Sequence, residues 1–319
     1  MKKAAKIWLI TAGIFVLIGG SVFVGVMSMI KWDFSKLSTV KYETNNNEIS
    51  AEFDSISIKT NTAGVIFEVS NNEKCRVECY EDENAKHSVF AQNGTLYIER
   101  PNAKHWNELI GINNGLEKIT VYLPKSEYSS LTVKGKSGDI KLPSKLTFNK
   151  ADISLSTGDV DTLANVLGEI EIKTTTGNIC AKNFSAGALK LSTSTGKATV
   201  SGVTCRGDIT VDVSTGNAYL TDNTCKDLIS SGSTGNLSLS NVTAKNFSIS
   251  RSTGNVEFDR CDADEIFAKT STGNVRGSLL TGKTFVAKSS IGNVDVPNTT
   301  TGGRCEIKTS TGNIEIRIA

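Results

Sequence analysis

The sequence predicts an all-β chain, a parallel β-solenoid (β-helix) of about ten 19–20-residue coils, preceded by one N-terminal transmembrane helix. Three observations carry that reading. A Ser-Thr-Gly-Asn unit recurs at a fixed short period, apolar residues spaced two apart flank each copy, and an uncharged apolar run stands near the start. Self-similarity at such a period is the mark of stacked repeats.

The glycine of each unit serves as a zero mark. The marks are Gly138, Gly158, Gly177, Gly196, Gly216, Gly235, Gly254, Gly273, Gly292 and Gly312, and every interval is 19 or 20 residues. Seven and five residues before a mark stand pairs such as Ile170/Ile172, Leu189/Leu191 and Cys305/Ile307. Two and four residues after it stand Ala198/Val200, Leu237/Leu239 and Ile314/Ile316. Spacing of two places both members of a pair on one face of a strand. Each coil therefore holds at least two short strands hinged at the unit. At the hinge the chain turns a corner, where glycine tolerates φ > 0 and the preceding Ser and Thr can bond nearby backbone. Asn178, Asn217, Asn236, Asn255, Asn274, Asn293 and Asn313 follow the glycine. Stacked in register, their side-chain amides are expected to bond to one another up the column.

Aromatic residues make up only 7% of the chain, which suits the narrow core of a repeat array. The net charge is +2, and setting aside Lys2, Lys3 and Lys6 leaves −1, so no electrostatic footprint for nucleic acid remains. Those lysines form a short tail, residues 1–6, before an uncharged run from Ile7 to Ile30. The run exceeds the roughly 20 residues needed to span a bilayer, and Trp8 and Trp32 bracket it as interfacial anchors would. It is longer than the apolar region of a cleaved signal peptide, which is the second reading of this segment. Basic residues on the short side predict a single-pass anchor in the cell membrane with residues 33–319 outside the cytoplasm. Residues 31–48 read as a polar stalk, 49–130 as an irregular β capping region and 131–319 as the repeats. Within the cap, Ala63-Gly64-Val65 echoes the unit. The segment Pro101–Leu116 carries His105, Trp106, Leu109 and Ile110, read mainly as apolar cover for the end of the core and otherwise as a binding loop. The sequence stops at Ser310-Thr-Gly-Asn-Ile-Glu-Ile-Arg-Ile-Ala319, directly after a strand and without a capping segment, so the C-terminal coil is expected to be an open edge suited to self-association.

Chemistry is sparse. Asp139 and Asp159 take the Asn position in the first two units and should stack about 5 Å apart, which makes them weak candidates for a cation site that lacks a full oxygen cage. The group Asp259, Asp262, Asp264 and Glu265 reads as a solvated turn. Acids do not recur on one face, and no nucleophile elbow, phosphate loop or dinucleotide fingerprint appears. The chain reads as no enzyme and implies no cofactor; a polysaccharide-processing β-helix enzyme is the alternative. The chain has two histidines, His87 and His105, and seven cysteines. Cys205 and Cys225 both fall nine after a mark, as stacked thiols or as a disulfide.

The N-terminal apolar segment, the strand Ile119-Thr-Val-Tyr-Leu-Pro124 leading into the repeats and the series of S-T-G-[ND]-[VIL] units resemble a family of bacterial envelope proteins catalogued as a "putative adhesin" domain. The resemblance covers roughly residues 49–319. Lys197 departs from the pattern at the Asn/Asp position, as does Gly277 at an inward apolar one. The resemblance implies a solenoid at the cell surface with no catalytic residues. The expected role is a non-catalytic adhesion, binding or scaffold module of the envelope, related to envelope stress, with an envelope protein or polysaccharide as partner.

Overall fold

The computed structural model describes residues 3–33, 41–71, 74–100 and 117–319. Near the start is one long α-helix, Lys3–Met29. Its stretch Ala5–Met29 is long and apolar enough to cross a membrane. All other regular structure is β, and its architecture is the parallel stack that the repeats predict.

Each coil contributes a strand before the glycine and a shorter one after it, to two different sheets. Thus Asn165–Thr176 pairs in parallel with Ser185–Thr195, matching Ile170 to Leu189 and Ile172 to Leu191. Beyond the corner, Ile179–Lys182 pairs with Ala198–Ser201, matching Ile179 to Ala198. The residues that alternate inward are buried in coil after coil, and the core is continuous along the stack. More positions point inward than the two pairs around each glycine. In one coil Ala164, Val166 and Thr174 join Ile170 and Ile172 in the interior.

A second corner lies six residues after the glycine. Asn183, Gly202, Asp222, Asn241 and Arg260 all have φ between +51° and +65° there. Asn, Asp and Gly tolerate that left-handed conformation, whereas arginine rarely adopts it. At Arg260 the acidic group Asp259–Glu265, read from sequence as a turn, continues as strand. Val256–Thr272 is one strand that pairs within both sheets.

The two ends depart from simple sequential stacking. Coil Ser55–Val69 pairs on one side with Thr95–Glu99 and Lys118–Leu123. On the other side it pairs with Glu127–Ser137 and Ile140–Leu142. The Ala63-Gly64-Val65 echo is therefore a true corner inside the region read as an irregular cap. Residues 42–48, placed in the stalk by their polarity, instead form most of strand Tyr42–Ile49, antiparallel to Cys75–Asp82. Backbone pairing holds this strand without the apolar alternation that sequence reading relies on.

At the far end the expectation of an open C-terminal coil is overturned. Arg304–Thr311 and Ile314–Ile318 lie between the coil ending in Val275–Leu279 and the coil formed by Thr284–Ile291 and Val294–Asp295. Cys305, Ile307, Ile314 and Ile316 are buried, and the last backbone amide, on Ala319, donates to the Leu279 carbonyl at 2.8 Å. The outermost coil is the preceding one in sequence, where Val286, Ile291 and Val294 are exposed.

Candidate functional site

The repeated corner is the first place where candidate residues converge. The marked glycines from Gly138 to Gly312 have φ between +112° and +153°. At Gly177 a methyl group would also overlap the carbonyl of Gly158 in the next coil. The asparagine row forms a ladder, but of another kind than amide to amide. The backbone N–H of Asn255 donates to Asn236 Oδ1 at 2.9 Å, and that of Asn274 donates to Asn255 Oδ1 at 2.8 Å. At the far end Asn313 donates to Asn274 Oδ1 and Asn293 to Asn313 Oδ1. Only an acceptor oxygen is required, so Asp serves as well. The N–H of Asp159 donates to Asp139 Oδ1 at 2.9 Å, and that of Asn178 to Asp159 Oδ1 at 2.7 Å. Lys197 donates to Asn178 Oδ1 but has no side-chain acceptor to offer Asn217, and the ladder breaks there. Asp139 and Asp159 thus occupy two rungs.

Three residues before the glycine stands a buried row that sequence reading missed. Thr193, Thr270 and Thr309 each donate through the hydroxyl to a glycine carbonyl one coil away, at 3.0 Å. Arg251 replaces threonine in this row and is only 4% exposed. Its Nη2 donates to Ser230 Oγ at 2.8 Å, while Nε and Nη1 have no partner. Burial depresses its pKa to about 10. Gly232, on the adjacent coil, leaves the room that the guanidinium fills. A glycine nineteen residues before an arginine in the threonine register was the available signal.

A buried cluster lies at the N-terminal end. Cys79 and Glu81 alternate to the same side of strand Cys75–Asp82, and the following turn brings back His87. One ligand atom from each of the three lies within 4.8 Å of the others, and all three residues are buried. Glu81 Oε2 accepts from the backbone N–H of His87 at 2.7 Å and lies 2.6 Å from its Nδ1. Asn45 Nδ2 donates to Glu81 Oε1 at 3.0 Å, and Thr60 Oγ1 lies 3.2 Å from His87 Nε2. Burial works against ionisation of Glu81, but the bonds from His87 and Asn45 outweigh it and hold its pKa below the ordinary glutamate value. Burial pushes the Cys79 thiol up to about 12. The turn that returns His87 to Cys79 and Glu81 carries no repeat signature, so no sequence signal marks this group.

Two open clefts are relevant. One of about 420 Å³ is lined by Lys59, Thr60, Asn61, Ser88, Phe90, Glu99 and Arg100, and so adjoins the buried cluster through Thr60. Another of about 430 Å³ crosses several coils where Gly277 removes a side chain, and it exposes Glu257, Asp259, Arg276, Glu315 and Arg317. Four of these five charges are paired: Arg276 contacts Glu257, and Arg317 lies 3.0 Å from Glu315 and from Asp295. Asp259 Oδ2 instead accepts from Ser240 Oγ at 2.8 Å. Elsewhere in the acidic group, Asp262 lies 2.9 Å from the buried Lys283. Cys205 and Cys225 are buried free thiols. His105, Trp106, Leu109 and Ile110 lie outside the described residues.

The model of the Toastrack DUF4097 family matches residues 53–217 and 205–319, and the chain belongs to that family. No curated protein matches the sequence. Among solved structures it is similar to a "putative adhesin" of Bacteroides fragilis, with 17% identity, 87% of this chain and 97% of that one covered, and a TM-score of 0.40. A "putative adhesin" of Parabacteroides distasonis gives 13% identity, 87% and 98% coverage and a TM-score of 0.46. A "putative lipid binding protein" of the same species gives 17%, 88%, 98% and 0.37.

Proposed function

We propose that this Toastrack chain is a non-catalytic binding or scaffold module of a bacterial envelope, anchored in the membrane by its N-terminal helix and displayed outside the cytoplasm. The observation that carries the reading is the ridge beside the glycine corner. Thr157, Thr176, Thr195, Thr215, Thr234, Thr253, Thr272 and Thr311 are exposed and occupy one register position. Parallel pairing spaces them at about 4.8 Å. Ile291, which interrupts the row in sequence, lies at its outer end. A rigid surface that repeats along one axis suits a ligand that repeats along one axis, and an envelope polysaccharide has that property. The exposed apolar helix supports attachment to a membrane.

A second reading, a polysaccharide-processing enzyme, is favoured by the groove carrying Glu257, Asp259 and Arg276, because it gathers two carboxylates and a cation from adjacent coils. One experiment separates the two. The detergent-solubilised chain is mixed with insoluble envelope polysaccharide, sedimented, and assayed for new reducing ends. Co-sedimentation without new ends is the expected result. Ends that disappear in Glu257→Gln would replace it with the enzymatic reading, and absence of co-sedimentation would remove the glycan partner.

A further inference from the structure

We propose that Cys79, Glu81 and His87 form a site for a single zinc ion that staples the N-terminal end of the solenoid. Thiolate, carboxylate and imidazole together are a zinc donor set, and the sulfur and nitrogen ligands select zinc or cobalt over calcium or magnesium. The three donors converge within 4.8 Å and are buried. A zinc ion bound by one thiolate, one carboxylate and a neutral imidazole leaves no net charge, so the completed site can be held away from water.

The surroundings are those of a metal centre. A ligating histidine normally has its second nitrogen held by a polar partner, and ligating carboxylates are themselves hydrogen-bonded. Here Thr60 Oγ1 lies 3.2 Å from His87 Nε2, and Asn45 Nδ2 holds Glu81 Oε1 at 3.0 Å. His87 Nδ1 and Glu81 Oε2 lie 2.6 Å apart. Zinc binds between them in place of the proton of that hydrogen bond, and in place of the one on the Cys79 sulfur, once the nitrogen and oxygen part to about 3.3 Å, the spacing of two ligands on a tetrahedral zinc. The imidazole stays neutral by carrying its one proton on Nε2, directed at Thr60 Oγ1. The cleft bordered by Thr60, Asn61 and Ser88 brings solvent as far as Thr60, the residue that holds the second nitrogen of His87. Metal binding ties strand Cys75–Asp82 to the turn that precedes Ser88–Gln92, the two antiparallel flanks of this end.

The test uses the full chain in detergent, stripped with a chelator and titrated with Co²⁺ alone and then with Zn²⁺. The expected result is one equivalent of cobalt, with a thiolate-to-cobalt charge-transfer band that zinc abolishes. Cys79→Ser removes the band and Cys75→Ser retains it. Asn45→Ala, which leaves all three ligands in place, weakens binding about 10- to 100-fold. Far-ultraviolet circular dichroism is recorded on every sample. A stripped wild-type chain that is folded and shows no band overturns the proposal. So does a band that survives Cys79→Ser, or one that is lost when another cysteine is replaced instead.

Discussion

The two ends of the solenoid share one device and differ in another. At each end the coil that is terminal in sequence is inserted one place inward, so that a neighbouring coil forms the outside. The coil 55–69 is held between strands Thr95–Glu99 and Lys118–Leu123 on one side and Glu127–Ser137 and Ile140–Leu142 on the other. The coil 304–318 is held between strand Val275–Leu279, with the end of the strand before it, and strands Thr284–Ile291 and Val294–Asp295. At neither end is the sequence-terminal coil of the array therefore the one that can peel away first. The difference lies in what covers the outer coil. At the N-terminal end, antiparallel strands Ser88–Gln92, Cys75–Asp82 and Tyr42–Ile49 finish the sheets. No described strand covers Thr284–Ile291, and its inward residues Phe285 and Ala287 are only half-buried. Burying the chain end and covering the sheet edge are separate problems, and the second is handled at one end only.

The sharpest way to break the comparison is to delete residues 304–319. This removes the buried Thr309 and four buried apolar side chains, Cys305, Ile307, Ile314 and Ile316, the apolar four at about 1.5–3 kcal/mol each, or about 6–12 kcal/mol as an upper value. The outer coil then loses its neighbour in both sheets. Hydrogen exchange should show residues 284–295 unprotected, whereas residues 55–69 keep their protection. Loss of protection at both ends would mean that the solenoid unfolds as a single unit.

Position along the stack should also grade the cost of a glycine. Gly177→Ala must place a methyl group on the Gly158 carbonyl at a φ of +153°, between coils that cannot withdraw. A loss of at least about 3 kcal/mol is expected. Gly292→Ala meets the same obstacle from Gly312, but its coil is outermost and can move away. Denaturant melts should find the smaller loss there, and equal losses would show that the outer coil is as rigid as the interior.

Within the column, Arg251→Thr supplies the residue that the coil on one side uses at Thr270 and removes a buried cation with two unpartnered nitrogens. A gain of about 1–3 kcal/mol is expected. A loss would show that the guanidinium packs well enough over Gly232 to offset its desolvation. The smallest effect is expected at the gap in the ladder. Lys197→Asn supplies the acceptor that Asn217 lacks and should add about 0.5–1.5 kcal/mol. Lys197→Ala, with no acceptor, is the control; a gain of equal size from it would assign the effect to removal of the lysine.

What the sequence determined by itself is everything that one coil repeats. The glycine corner, the inward and outward rows and the acceptor after the glycine follow from a fixed period acting on strand geometry. The second corner was equally available, in Asn183, Gly202, Asp222 and Asn241, although Arg260 conceals the last member. Polarity alone could not assign Tyr42–Ile49, because antiparallel backbone pairing does not require an apolar face. Only the tertiary structure decided the order in which coils stack. Repeats with the same corner and the same inward rows can pair with one another almost equally well, so the local pattern carries no information on which coil is outermost. Connection geometry at the two ends settles that, and the same folding brings Cys79, Glu81 and His87 together with Asn45 and Thr60 from distant strands. Such a constellation has no period, and no single segment of the chain encodes it.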